Sequence, residues 1–108
     1  MALEEAVADL EGGYRSVSVT SGLSAIVSSL LSFLKCGDHL LMVDAAYDPT
    51  RNLCKGFLSK YGIETTFYDP LIGDKIENHI LNNTKVIFTE SPSSHTLEIQ
   101  DIPAITYV

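Results

Sequence analysis

Hydrophobic positions change period several times along this chain, and each change marks an element. Leu3, Ala6, Val7 and Leu10 recur at helical spacing with Glu4, Glu5 and Asp9 between them. Gly12-Gly13 comes next as a stop, so the spacing predicts a first helix over residues 2–11 whose acidic start suits the positive end of its dipole. Val17 and Val19 then alternate with polar neighbours, which predicts a strand within 14–20, centred on 16–20. Ser21-Gly22 reads as a tight turn where a larger side chain would clash, and a helix-period run extends from there to Lys35. Gly37 is placed for a left-handed cap after it.

His39-Leu40-Leu41-Met42-Val43 is a continuous apolar run too short for a helix, the pattern of a strand buried on both faces of a parallel sheet. Asp48 and Pro49 read as N-cap and first turn of a helix with Leu53, Cys54, Phe57, Leu58 and Tyr61 on its apolar stripe, closed by Gly62. Residues 63–68 are β-branched and aromatic, hence a strand. Residues 74–81 predict a short helix with Ile76, Ile80 and Leu81 inward, and 85–89 another buried strand. Asp101 caps a last helix, and the chain stops soon after it, which reads as cut rather than finished.

Strands alternating with helices at such short spacing predict an α/β fold: three layers, a mostly parallel sheet of about four strands, helices on both sides. Ligands in such sheets sit beyond the carboxyl ends of the strands. Three polar loops are expected there: Thr20-Ser21-Gly22, Asp44-Ala45-Ala46-Tyr47-Asp48, and Glu90-Ser91-Pro92-Ser93-Ser94-His95.

Composition narrows the partners. At 108 residues the sequence is sized for a single, here partial, domain over 1–108, and 45% hydrophobic with 19% charged residues is an ordinary globular balance. A net charge of -7 with only 7 Lys and Arg disfavours nucleic acid and anionic membrane surfaces. The apolar run at 23–34 is too short to cross a bilayer and residues 1–5 lack a signal pattern, so the expected compartment is the cytoplasm. Cys36 and Cys54 have no metal-like spacing and are expected free, and His39, His79 and His95 have no ligand spacing.

The candidate chemistry starts at Thr20-Ser21-Gly22-Leu23. A helix opening at this turn offers unpaired N–H groups and two hydroxyls to an anion, so a phosphate monoester could be held without Lys or Arg. An ordinary capped helix after a strand would look the same, and the turn names no ligand.

Seven blocks taken together carry a resemblance. In order and spacing, Leu10-Glu11-Gly12-Gly13, Thr20-Ser21-Gly22-Leu23, Leu34-Lys35-Cys36-Gly37-Asp38-His39, Ala46-Tyr47-Asp48-Pro49-Thr50, Phe67-Tyr68-Asp69-Pro70-Leu71-Ile72-Gly73, Asn83-Thr84-Lys85 and Glu90-Ser91-Pro92 resemble the cysteine and methionine metabolism enzymes that use pyridoxal 5′-phosphate. The Tyr-acidic-Pro-Thr and Asp-Pro-Leu-Ile-Gly blocks are most similar to the cystathionine β-lyase branch. The resemblance implies the large domain of a fold-type-I, aspartate-aminotransferase-like enzyme, and for that enzyme C–S β-elimination from L-cystathionine and cysteine-type amino acids. It implies that Gly22 and Leu23 donate N–H groups to the cofactor phosphate, that Tyr47 stacks on the pyridine ring, and that Ser94 lies near the ring hydroxyl. Glu90 is read as an acceptor for loop N–H groups rather than an acid or base.

The departures from the family matter equally. The family's cofactor-binding Lys and pyridinium-pairing Asp lie beyond the last residue here, and its phosphate-binding Tyr and Arg from a neighbouring subunit lie before the first. None of Lys35, Lys55, Lys60, Lys75 or Lys85 stands in the family's lysine context, so no catalytic residue is assigned. The expectation is a large-domain fragment that is inactive alone, binds cofactor weakly if at all, and associates with itself or with flanking fragments of the same enzyme. The alternatives are a non-catalytic binding or assembly module, half of a split enzyme completed in trans, and a flavodoxin-like domain, the last disfavoured because no phosphorylatable Asp or flavin loop is evident.

Overall fold

A computed structural model describes residues 2–108. Its sheet has three parallel strands in the order β2-β1-β3, with β1 at His39–Val43, β2 at Glu64–Tyr68 and β3 at Thr84–Phe88. All five residues of β1 are buried, whereas β2 and β3 are mostly half-buried, as a central strand between two edges requires. His39 at the start of β1 sets one ring nitrogen 2.7 Å from Thr84 Oγ1 on one neighbour and the other 2.9 Å from Thr66 Oγ1 on the other neighbour. A buried imidazole is thus satisfied across the sheet, and Lys85 forms a bulge between the pairs His39–Thr84 and Leu40–Val86.

The helices are α1 (Ala2–Glu11), α2 (Gly22–Phe33), α3 (Asp48–Leu53), which runs on into a π-helical stretch at Cys54–Leu58, and α4 (Ile102–Tyr107), with a 3-10 segment at Gly73–His79. α2 packs on α3 and on β3, while α4 packs on the 3-10 segment. Leu30, Leu34, Leu58, Ile63, Ile76 and Ile105 complete the core around β1. Gly37 has the left-handed φ, 91°, expected for a cap. Gly62 is doubly constrained, by φ 72° and by Cys36 Sγ, which would lie 2.7 Å from an added Cβ.

Four expectations are corrected. Residues 14–20 form no strand, so the sheet has three strands rather than about four: polar groups of this segment bond to α1 instead of to a strand. Ser18 donates from N–H and hydroxyl to Glu4 Oε1 at 2.9 and 2.8 Å, and Ser16 Oγ donates to the Glu4 carbonyl at 2.6 Å. Tyr47, not Asp48, is the N-cap of α3, and Pro49 still falls in the first turn. In place of a helix over 74–81 there is the 3-10 segment Gly73–His79 with only Ile76 buried, and Ile80 and Leu81 lie beyond its end, exposed, as the chain extends into β3. Beyond α3, Phe57 and Tyr61 lie 42% and 61% exposed with ring centroids 4.6 Å apart, since the extra residue of the π turn rotates the later side chains off the stripe.

Candidate functional site

The carboxyl ends of β1 and β3 lie side by side, and the loops leaving them meet. Tyr47 ends the loop after β1; its N–H donates to Glu90 Oε2 at 3.3 Å, and its carbonyl accepts the N–H groups of Thr50 and Arg51 at 2.9 and 3.2 Å, which starts α3. Glu90 comes just after β3, and its other carboxylate oxygen accepts the hydroxyl of Ser94. The structure therefore brings Tyr47, Glu90 and Ser94 into one hydrogen-bonded group, and Glu90 is an acceptor as the sequence suggests. The Tyr47 ring is half-exposed, open to a flat ligand.

Gly22 and Leu23 form a second group. Ser21 is extended at φ -162° and caps α2, its hydroxyl accepting the Ser24 N–H at 3.1 Å while its carbonyl accepts Ala25 N–H at 3.0 Å. The N–H groups of Gly22 and Leu23, in the first turn, have no intrahelical acceptor. The expectation that the turn needs glycine is corrected: Gly22 lies outside the left-handed region, and nothing stands within 4 Å of an added Cβ. That open space beside two backbone donors leaves room for an anion's oxygen. No hydrogen bond joins this group to Tyr47; the link is the packing of α2 on α3, the helix that Tyr47 caps.

Side chains beneath the loops hold them. Arg51 pairs with Asp44 at 2.7 Å and lies over the Phe67 ring, 5.2 Å from its centroid, so it is engaged away from a ligand. His95 Nε2 lies 3.3 Å from Asp48 Oδ2 and ties the β3 loop to the start of α3. Gln100, missed in the sequence because no apolar period marks it as inward, is 4% exposed. It donates Nε2–H to the Glu90 carbonyl at 2.9 Å, accepts the Tyr68 hydroxyl at 3.2 Å, and donates its N–H to Ser91 Oγ at 3.0 Å.

The single Tyr68 hydroxyl proton is shared between Gln100 and the nearer Phe88 carbonyl at 2.9 Å, and burial pushes the hydroxyl up to about 12 from 10. The fold therefore favours the neutral phenol, and its contribution is complete below 10 and lost as pH rises through 12. Thermal melts across that window are expected to show an alkaline loss of stability that Tyr68→Phe diminishes.

Among the described residues no group of His, Cys, Asp and Glu could hold a metal ion, and no helix is long and apolar enough to cross a membrane. Cys36 and Cys54 are free, one exposed and one buried. Clefts occur between α1 and residues 14–17 and between that segment and α2.

Comparison with known proteins identifies the group to which these features belong. A Saccharomyces cerevisiae protein provisionally named a cystathionine beta-lyase is 53% identical over 106 residues, 98% of this chain and 31% of that protein. Cystathionine beta-lyase MetC of Escherichia coli is 46% identical over 103 residues, 95% of this chain and 26% of that protein. The structure of MetB from Corynebacterium glutamicum superposes with a TM-score of 0.93 at 34% identity, covering 98% of this chain and 28% of that one. The chain thus spans between a quarter and a third of the length of the curated relatives it matches. Since the profile of the Cys/Met metabolism PLP-dependent enzymes matches residues 1–108, from α1 through the strand-end loops to α4, the chain belongs to that family.

Proposed function

We propose that residues 1–108 are the cofactor-binding part of the large domain of a cystathionine β-lyase-like enzyme, acting in the cytoplasm on L-cystathionine and cysteine-type amino acids. When bound, pyridoxal 5′-phosphate supplies the electron sink that permits β-elimination of a thiol. The chain's own residues bind and orient. Gly22 and Leu23 donate N–H groups to the phosphate at the positive end of α2, Tyr47 offers a ring face to the pyridine, and Ser94 stands at the ring's edge. The observation that carries this reading is Gly22, a glycine at a helix start that neither backbone angle nor crowding explains.

The test uses pyridoxine 5′-phosphate, which lacks the aldehyde and cannot react with surface lysines. Added to the 108-residue chain, it is expected to shift the amide resonances of Gly22, Leu23 and Tyr47 most, with an affinity on the order of 1 mM and weaker still in Tyr47→Ala. Shifts spread evenly over the chain, or an affinity indifferent to Tyr47→Ala, would defeat the assignment.

The same reading covers the partners, which are further copies of this chain or other segments of the enzyme. Leu31, Phe33, Phe57 and Tyr61 are each more than 40% exposed on α2 and on the turns after α3. Such apolar surface on a small chain promotes association. Sedimentation velocity at micromolar concentration is expected to show species larger than 11.8 kDa, and a single sharp monomer boundary would count against this.

A further inference from the structure

The Glu90 side chain ties the Tyr47 backbone to the loop after β3. One carboxylate oxygen accepts the Tyr47 N–H at 3.3 Å across 43 residues of sequence, and the other accepts the Ser94 hydroxyl. Among the described residues no ion pair engages this carboxylate; Arg51, the cation of α3, is bound to Asp44. Glu90 is itself held from below, since its backbone carbonyl accepts Nε2–H of the buried Gln100, and Gln100 in turn accepts the hydroxyl of Tyr68, which is 1% exposed. A continuous run of hydrogen bonds thus leads from the floor of the sheet to the backbone of Tyr47. The Tyr47 ring is half-exposed and stacks on no other ring among the described residues, so its placement depends on its backbone.

We infer that Glu90 is a positioning residue that fixes the Tyr47 backbone and the Ser94 hydroxyl relative to each other, with Gln100 as its anchor to the core. The inference rests on the cofactor role proposed for Tyr47 and Ser94. It adds a chemical consequence for Ser94: with its proton committed to Glu90, the hydroxyl oxygen meets a ligand as an acceptor, so the matching ligand edge carries an O–H or N–H donor. An aromatic platform is most useful when its backbone is fixed before the ligand arrives, and a shared carboxylate acceptor ties Tyr47 and Ser94 together with one hydrogen bond to each.

The experiment measures amide hydrogen exchange on the 108-residue chain without ligand, then pyridoxine 5′-phosphate titration of the same variants. Glu90→Ala is expected to speed exchange at Tyr47 about tenfold, the loss of one charge-assisted hydrogen bond, while Leu41 and Ile87 in β1 and β3 exchange at unchanged rates. Glu90→Gln keeps an oxygen within reach and is expected to restore much of the protection, and Gln100→Leu is expected to loosen Tyr47 to a smaller degree. Unchanged exchange at Tyr47 in Glu90→Ala, or acceleration of all three amides together, would overturn the inference, the second outcome marking a merely structural role. In the titration, Glu90→Ala is expected to weaken binding part of the way toward Tyr47→Ala. Wild-type affinity in Glu90→Ala beside weakened binding in Tyr47→Ala would also overturn it, whereas an inert Tyr47→Ala defeats the cofactor reading and leaves the exchange result to judge Glu90 alone.

Discussion

Supplied with pyridoxal 5′-phosphate and L-cystathionine, the purified 108-residue chain is expected to release no pyruvate. The elimination requires a base that removes the α-proton and a group that holds the cofactor covalently, and in this chemistry one lysine does both. Lys35, Lys55, Lys60, Lys75 and Lys85 are all exposed, whereas a lysine that adds to a carbonyl is activated by a desolvated or cationic pocket. Positioned acid–base groups contribute about 10²–10⁴-fold each, so binding and orientation by Gly22, Leu23, Tyr47 and Ser94 leave turnover below detection. The check is a coupled pyruvate assay on the chain alone and on the chain mixed with the remaining segments of a cystathionine β-lyase as a separate polypeptide. Turnover by the chain alone would refute the proposed division of labour; turnover only in the mixture would show that the lysine arrives in trans.

Leu41→Ala is expected to give the largest loss of stability among single truncations. Leu41 is the middle residue of the central strand, fully buried, with β2 and β3 paired on either side of that strand. Such truncations cost about 2–5 kcal/mol, a large share of the roughly 5–15 kcal/mol that holds a domain folded. A fall in melting temperature of about 15 °C is expected for a chain this small. Leu10→Ala, at a position 87% exposed on α1, is the matched control, expected to change stability by about 0.5 kcal/mol or less. Urea unfolding of both variants checks the pair, and equal midpoints would mean that the β1 core does not hold the chain together.

Much of the fold was legible in the residues because its signals are local. The short run at 39–43, four apolar residues behind His39, is best satisfied by burial on both faces, and that alone marked β1 as a strand inside a parallel sheet. Gly37, Gly62 and Asp101 ended or began elements through backbone angles and a cap that need no distant partner. Gly22, Leu23, Tyr47 and Ser94 were named from blocks of sequence, and the same blocks named the family.

What the sequence could not decide depends on partners far along the chain. Val17 and Val19 alternate as a strand would, yet a strand exists only where a neighbour offers a free ladder of N–H and C=O groups, and Glu4 captured this segment first. The stripe that begins on α3 held at Cys54 and Leu58 and failed at Phe57 and Tyr61, where a π turn shifted the phase. Gln100 carries no pattern at all; it became a buried node only when residues 90–100 folded over Tyr68. Sequence could nominate Tyr47 for its ring and Ser94 for its hydroxyl, because those are properties of residue type. Tertiary structure alone decided that Glu90 would reach across the sheet end to Tyr47, because no local rule brings together residues from the ends of two strands.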